Sequence, residues 1–309
     1  MTDDERQRLA RLIPDLKRRA FIYQIIRSFF NEQDFLEVET PVRSPAIAPE
    51  KEIIPFESEG WFLCASPELY MKRLLAAGYD KIYQFSHCFR KGERGNYHNP
   101  EFTLLEWYRK GVNYEQMMQD TGQLIITVAA GLGMGSTLHY QRKTIDLSLP
   151  WDRITVAEAF QRYAGWDPTF NPDPRRFDED MVLKVIPNLN PHYPTFLVDY
   201  PAPMASLARL KPDKPRVAER FELFIGGLEL ANAYSELVNQ KEQKARFRKE
   251  IEQIKHAQNR ITPMPDKFLR AVANIPESAG IALGMDRLVM LFCDAKTIDE
   301  VMPFTVDEA

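Results

Sequence analysis

The chain has 309 residues, 44% hydrophobic and 27% charged, the make-up of a soluble globular protein rather than a disordered one. Lys plus Arg (40) against Asp plus Glu (44) leave a net charge of -4, which excludes a generic nucleic-acid coat but not a local basic face. The charged start MTDDERQRLARL lacks a secretory apolar stretch, and the apolar core of the uncharged run Thr121 to Gln141 is far shorter than the roughly 20 residues of a membrane span.

The expectation is therefore a cytoplasmic protein without membrane contact. Cys64, Cys88 and Cys293 form no C-x-x-C pair and read as buried thiols in a reducing compartment.

The first predicted element is a helix from Asp15 to Phe30, with Leu16, Ala20, Ile22, Ile25, Ile26 and Phe29 at helical spacing. A strand, Phe35 to Thr40, ends at Pro41, and Arg43 to Ser58 reads as a loop. Ser66-Pro67-Glu68-Leu69 has the signature of a helix start. Tyr83 to Arg90 and Glu101 to Tyr108 read as strands around a polar loop, Lys91 to His98, and Gln116 to Ala130 as a buried helix. The GLGMG that follows lacks the G-x-G-x-x-G spacing of a dinucleotide site.

Asp167 to Pro215 is Pro-rich and is expected to be an irregular, surface-running insertion within a single domain spanning 1–309. Gly226-Gly227 joins two strands, Phe221 to Ile225 and Leu228 to Glu236, in a hairpin. A charged helix covers Lys241 to Gln258, its basic run expected to be a solvated face, and Gly280 to Phe292 reads as a strand breaking at Gly284 into a helix. Hairpins without a regular βαβ period predict an α+β fold with an antiparallel sheet flanked by helices.

Three segments place polar residues where a plain sheet would not. In FRKGERGNYHNPEFTLLEWY, alternation puts Phe102, Leu104, Glu106 and Tyr108 on one face, with Arg90 ending the facing strand. A guanidinium suits a phosphate that gains charge in a transition state. In FELFIGGLELANAYSEL, Glu222 and Glu229 share a face, and two such carboxylates repel unless a cation such as Mg²⁺ sits between them. Asn232, Tyr234 and Glu236 join that face only if a bulge intervenes. In AGIALGMDRLVMLF, Gly284 allows close backbone approach and Asp286-Arg287 open a helix. His87 and Cys88, adjacent on a strand, point to opposite faces and make no ligand pair.

In order and spacing, HNPEFTLLEWY, RFELFIGGLELANAYSEL and GIALGMDRLVML resemble motif 2, the acidic strand and motif 3 of class II aminoacyl-tRNA synthetases of the lysyl type. The Phe35 to Pro41 strand and its preceding helix resemble motif 1, which implies a homodimer. No space precedes motif 1 for the anticodon-binding domain of lysyl-tRNA synthetases, so no anticodon recognition is expected. A core of this kind is similar to the branch of the family that uses ATP to activate (R)-β-lysine and attach it to a lysine of elongation factor P.

The resemblance implies that Arg90 holds the ATP α-phosphate and that Phe102 and Arg287 sandwich the adenine. It implies nucleotide contacts from Lys91, Gly92, Glu93, His98, Asn99, Glu229, Leu230 and Gly284, with Mg²⁺ on Glu222 and Glu229. Ser66, Pro67, Glu68, Tyr108, Asn232, Tyr234, Glu236 and Ala282 would surround the lysine or β-lysine.

Two positions depart from the lysyl synthetases. Arg90-Lys91-Gly92-Glu93 stands where those enzymes have Arg-Asn-Glu. Ala282 stands where they have Gly, as in the β-lysine branch. Other readings are a truncated synthetase acylating tRNA or a tRNA-like RNA with α-lysine, an ammonia-dependent asparagine synthetase, and a non-catalytic regulatory paralogue. The last should have lost Arg90, the acidic pair or Arg287, and all are present.

Overall fold

The computed structural model describes residues 2–309. Eight strands form one sheet: β1 (Leu36–Glu37), β2 (Lys81–Phe89), β3 (Glu101–Lys110), β4 (Asp152–Thr155), β5 (Thr195–Pro201), β6 (Val217–Ile225), β7 (Leu228–Ser235) and β8 (Ser278–Gly284). Their spatial order is β1-β2-β3-β8-β7-β6-β5-β4. The inner pairs are antiparallel, and the pairs at the two edges, β1/β2 and β4/β5, are parallel. The expected α+β class and antiparallel-dominated sheet are observed.

Among the described residues nine α-helices accompany it: α1 (Asp3–Arg11), α2 (Ile13–Asn31), α3 (Glu68–Ala76), α4 (Tyr114–Gly131), α5 (Val156–Tyr163), α6 (Pro174–Asp180), α7 (Gln240–Gln258), α8 (Asp266–Val272) and α9 (Met285–Cys293). Apolar faces of α2, α4 and α9 cover one side of the sheet, where Ile22, Ile26, Phe30, Trp107, Leu124, Ile125, Ala233, Ile281 and Leu288 form the main core. On the opposite side, Ile82 and Tyr108 pack with Met71, Leu75, Phe247 and Phe268 in a second core under α3, α7 and α8, beside the polar residues of the site. Among the described residues no helix is long and apolar enough to cross a membrane.

Three expectations need correction. The Pro-rich stretch is not purely irregular and surface-running, because it supplies β5, every residue of which is buried between β4 and β6. Pro194 and Pro201 flank the apolar run Phe196-Leu197-Val198 without interrupting its ladder, which is how a proline-rich segment can hold an inner strand. The motif 1 strand shortens to β1, after which only Val38 N–H still bonds to Tyr83 O (2.9 Å). A further helix, α1, precedes the predicted one, capped by Thr2 Oγ1 accepting from Glu5 N–H.

Candidate active site

The sheet positions the site through its register. Across β3, β8, β7 and β6 one row reads Glu106, Ala282, Asn232, Glu222, and the next reads Tyr108, Gly280, Tyr234, Arg220. The anticipated bulge is present: Leu223 faces Ala231 while Phe224 faces Glu229, so Leu230 is the extra residue. Without that insertion Glu229 and Asn232 would point to opposite sides; with it both face the cavities described below.

The first cavity holds about 140 Å³ and is lined by Ser66, Glu68, Glu106, Asn232, Tyr234 and Ala282, among others. Its chemistry is acidic. Ser66 Oγ donates to Glu106 Oε1 (2.6 Å) and also accepts from Glu68 N–H (3.0 Å), so the predicted helix-start serine, one residue before the Pro67 cap, satisfies the first N–H of α3 and orients a carboxylate. Tyr108 O–H donates to Glu106 Oε2 (2.8 Å), and Tyr234 O–H donates to Glu68.

Lys72, one turn after Glu68 on α3 and only 2% exposed, donates to Glu68 Oε1 (2.5 Å) and lies against Glu236. Its Nζ also stands 5.0 Å from the Tyr234 ring centroid. Burial alone would lower the affinity of Lys72 for its proton, but Glu236 and Glu68 outweigh it and the ammonium is held more tightly than usual.

Glu68 and Glu236 thus pair with this buried ammonium, and Glu106, whose proton affinity both Glu68 and Lys72 influence, belongs to the same cluster. Burial, reinforced by Glu68, pushes the Glu106 carboxyl up to about 7, and burial pushes Glu236 up to about 8 against the pull of Lys72. The excess acidity belongs to the cluster and not to one side chain. Glu236 Oε2 is the oxygen that meets Lys72, and its buried Oε1 has no hydrogen-bond partner. A buried acceptor of that kind is rare unless a ligand completes it.

The second cavity, about 370 Å³, is lined by Arg90, Glu93, His98, Asn99, Phe102, Glu229, Leu230, Gly284 and Arg287. The two cavities share Glu50, Ile53, Arg90, Leu104, Asn232 and Ala282 in their walls, so they meet at the Arg90 guanidinium. That group stands 5.1 Å from the Phe102 ring centroid and 3.8 Å from Glu93 Oε1. Its buried Nε has no hydrogen-bond partner.

Opposite lies Arg287, at the start of α9. Asp286 anchors that helix start by accepting from Arg19 Nη1 (2.6 Å) and Thr103 N–H (2.8 Å). Arg287 donates to Glu229 O (2.8 Å) and to His98 Nε2 (2.6 Å). A guanidinium only donates, so His98 presents its unprotonated nitrogen there. Burial and the neighbouring Arg287 charge both lower the proton affinity of His98.

Glu222 lies beside Arg220, which donates to its Oε1 (2.7 Å) and to Asn232 Oδ1 (3.1 Å). Burial and then the Glu229 charge raise the Glu222 carboxyl to about 7. These two crowded carboxylates are hard oxygen donors that a divalent cation would relieve, so they fit the expected Mg²⁺. Among the described residues no group of three or more His, Cys, Asp or Glu side chains is arranged to hold a metal. Such an ion would therefore draw its remaining ligands from phosphate and water.

Not every expected residue reaches a wall of these two cavities: Pro67, Lys91, Gly92, Tyr108, Glu222 and Glu236 do not, the last three meeting residues that do (Tyr108 and Glu106, Glu222 and Arg220) or the Lys72 pair. Lys91 and Gly92 are exposed: Lys91 N–H is tied to Ile54 O (2.8 Å) and Gly92 turns the chain at φ +84°. Pro67 precedes α3 as its cap rather than lining the pocket. Conversely, Lys72, Arg220 and Glu50 are site residues that sequence reasoning did not select, and Glu106 was placed on the right face without a role in the pocket. A Glu and a Lys four apart on a helix read as a surface pair, whereas here that pair is buried. Burial, reinforced by Glu68, raises Glu50, in the wall shared by both cavities, to about 7.

A family model for tRNA synthetases class II (D, K and N) matches residues 7–308. The chain belongs to the class II tRNA synthetase family. Curated relatives named elongation factor P–(R)-β-lysine ligase match it along nearly their whole length. That of Enterobacter sp. (strain 638) is 38% identical, covering 96% of each chain. That of Erwinia tasmaniensis is 36% identical with the same coverage, and that of Vibrio parahaemolyticus is 37% identical over 94% of this chain and 95% of its own. Membership in the class II family accords with the sheet register, since the motif segments supply Phe102, Glu106, Glu229, Asn232 and Arg287 to the walls of the two joined cavities.

Proposed function

We propose that the protein activates (R)-β-lysine with ATP as an aminoacyl adenylate and transfers it to a lysine side chain of elongation factor P. The observation that carries this reading is the junction of an acid-lined cavity with an Arg-flanked one at Arg90, in a chain similar from end to end to ligases of that name. A cavity lined by Glu50, Glu68 and Glu106 offers carboxylates to the ammonium groups of a diamino acid, and Arg90 and Arg220 in the same walls offer guanidiniums to its carboxylate.

In this reading Glu68, Glu106 and Glu236 take the substrate ammonium groups, with Tyr108 and Tyr234 fixing the carboxylates, and the substrate carboxylate points toward Arg90. ATP occupies the second cavity, its adenine between Phe102 and Arg287, with His98 and Asn99 beside it. Glu222 and Glu229 would hold Mg²⁺, which supplies charge neutralisation of the phosphates.

A carboxylate oxygen of the amino acid attacks the α-phosphorus. A new O–P bond forms, the α–β bridge breaks, and pyrophosphate leaves with the electron pair. In this reading Arg90, at the junction of the two cavities, meets the negative charge that grows on the α-phosphoryl oxygens; its place in both walls supports that role. The acceptor amine then attacks the carbonyl carbon, the C–N bond forms, AMP leaves, and the amine proton passes to the leaving phosphate or solvent. Neither step needs a side-chain nucleophile, so catalysis rests on positioning and charge.

Ala282, on the floor between Glu106 and Asn232, puts a methyl where the lysyl synthetases carry none. A change of that size tunes discrimination by about 1–3 kcal/mol, supporting β-lysine over α-lysine. Amino-acid-dependent ATP–pyrophosphate exchange, compared for the two lysines, tests the first step, and acylation of elongation factor P tests the second. We further propose a cytoplasmic homodimer joined through α2 and β1.

A further inference from the structure

Beside the acid-lined cavity, between α3 and α8, runs a groove of about 380 Å³ that shares Ser44, Ala46, Leu69 and Tyr70 with it. Arg73, Lys267 and Arg270 line it, with Asp266 the one acid. None of the three cations forms an ion pair with another described residue; Arg73 instead lies 5.5 Å from the Tyr70 ring centroid. On a chain of net charge -4, such a rim runs against the overall sign.

The segment 259–265 ties this groove to the reaction centre. At one end Arg260 Nη1 donates to Ile53 O (2.8 Å), and Ile53 belongs to the wall where the two cavities meet. At the other end Met264, between two prolines, lines the groove. Between them Ile261 is 87% exposed, the most exposed large apolar side chain among the described residues. The chain thus runs from a contact with the junction wall, through a bare isoleucine, to a groove lined by Leu69, Met264, Phe268 and the three cations.

We propose that this surface docks the acceptor protein, receiving an acidic, partly apolar patch that flanks its accepting lysine. The inference rests on the function proposed above. A phosphate backbone would call for a denser set of cations and would gain nothing from Ile261 or Met264, whereas a protein surface of mixed carboxylates and apolar side chains matches both. Cations at the rim of an interface steer association and make it salt-sensitive.

The test uses the full chain carrying Arg73→Glu, Lys267→Glu and Arg270→Glu together, and separately Ile261→Ser. Pyrophosphate exchange with β-lysine should stay within about twofold of wild type in both, because none of these residues lines the two reaction cavities. The triple variant should raise KM for elongation factor P at least about tenfold and flatten its dependence on salt. Ile261→Ser should raise that KM while leaving the salt dependence as it was. Wild-type modification of elongation factor P with an unchanged KM in the triple variant would overturn the docking surface alone. A wild-type protein that forms adenylate yet leaves elongation factor P unmodified would overturn the functional reading and this partner with it. Loss of tRNA retention in the triple variant, with elongation factor P still modified normally, would make this an RNA surface and overturn the protein partner.

Discussion

The ring of Tyr108 lies across the Cα of Gly280: a Cβ placed at Gly280 would stand 2.2 Å from Tyr108 Cε1 and 2.8 Å from Glu236 Oε1. The two residues are direct neighbours in the β3–β8 register, so the clash could not be relieved by moving a flexible side-chain end. The glycine is there to let an aromatic ring lie flat beneath the acid-lined cavity.

Gly280→Ala should therefore displace Tyr108 and, through it, Glu106. Overpacking of this sort costs about 1–3 kcal/mol. We expect KM for the amino acid in pyrophosphate exchange to rise about tenfold or more, with KM for ATP changed far less, since ATP occupies the other cavity. Equal losses for both substrates would contradict the assignment.

Lys72 offsets part of the buried acidity, and Lys72→Met keeps its bulk while removing its charge. Breaking a buried ion pair from one side costs about 3–5 kcal/mol. The variant should melt well below wild type at neutral pH and recover part of the difference as the pH falls and the carboxyls take up protons. A thermal-melting deficit that does not depend on pH would show that Lys72 acts through packing alone.

Glu50, Glu106 and Glu236, raised to about 7, 7 and 8, bind protons more tightly in the folded chain than in the unfolded one. Their stabilising contribution is complete below the ordinary glutamate value of about 4.3 and is lost as pH rises through their folded values. The ligand-free protein should lose thermal stability from about pH 5.5 to about pH 8. Lysine or β-lysine, bringing ammonium groups to these carboxylates, should raise the melting temperature more at the upper end of that range. Ligand-free stability that climbs toward pH 8 would refute the account of the cavity.

Arg90→Ala should reduce pyrophosphate exchange by about 10²–10³-fold with the fold intact, as expected when one preorganised group leaves the developing charge. Arg90→Lys should not restore it, because a point charge lacks the planar fork. Ordinary exchange by Arg90→Ala would remove Arg90 from the reaction.

Phe21 on α2 and Leu36 on the edge strand β1 are 45% and 51% exposed, the kind of apolar surface a dimer would cover. Sedimentation equilibrium should report a dimer at micromolar concentration. A monomer at every concentration would exclude that interface.

Much of the site was legible because strand alternation and turn chemistry act locally. Gly226-Gly227 fixes the β6–β7 hairpin, and the odd spacing of Glu229 and Asn232 meant that they share a face only through a bulge or slip, which the register supplies at Leu230. The order of the strands was not legible. Nothing in the local pattern says that Ala282 lies between Glu106 and Asn232, and that long-range register is what assembles the cavity. Lys72 was hidden for a related reason: helical spacing pairs it with Glu68, but only tertiary packing buries the pair and adds Glu236. Strand β5 was masked by prolines that cap its ends without breaking its ladder.

The most direct test of the proposed function is the intact mass of elongation factor P after incubation with this protein, ATP, Mg²⁺ and (R)-β-lysine, with α-lysine in a parallel reaction. A gain of one lysyl unit, larger with β-lysine and absent without ATP, is the predicted result. An unchanged mass from a protein that still exchanges pyrophosphate in response to β-lysine would contradict the proposed acceptor.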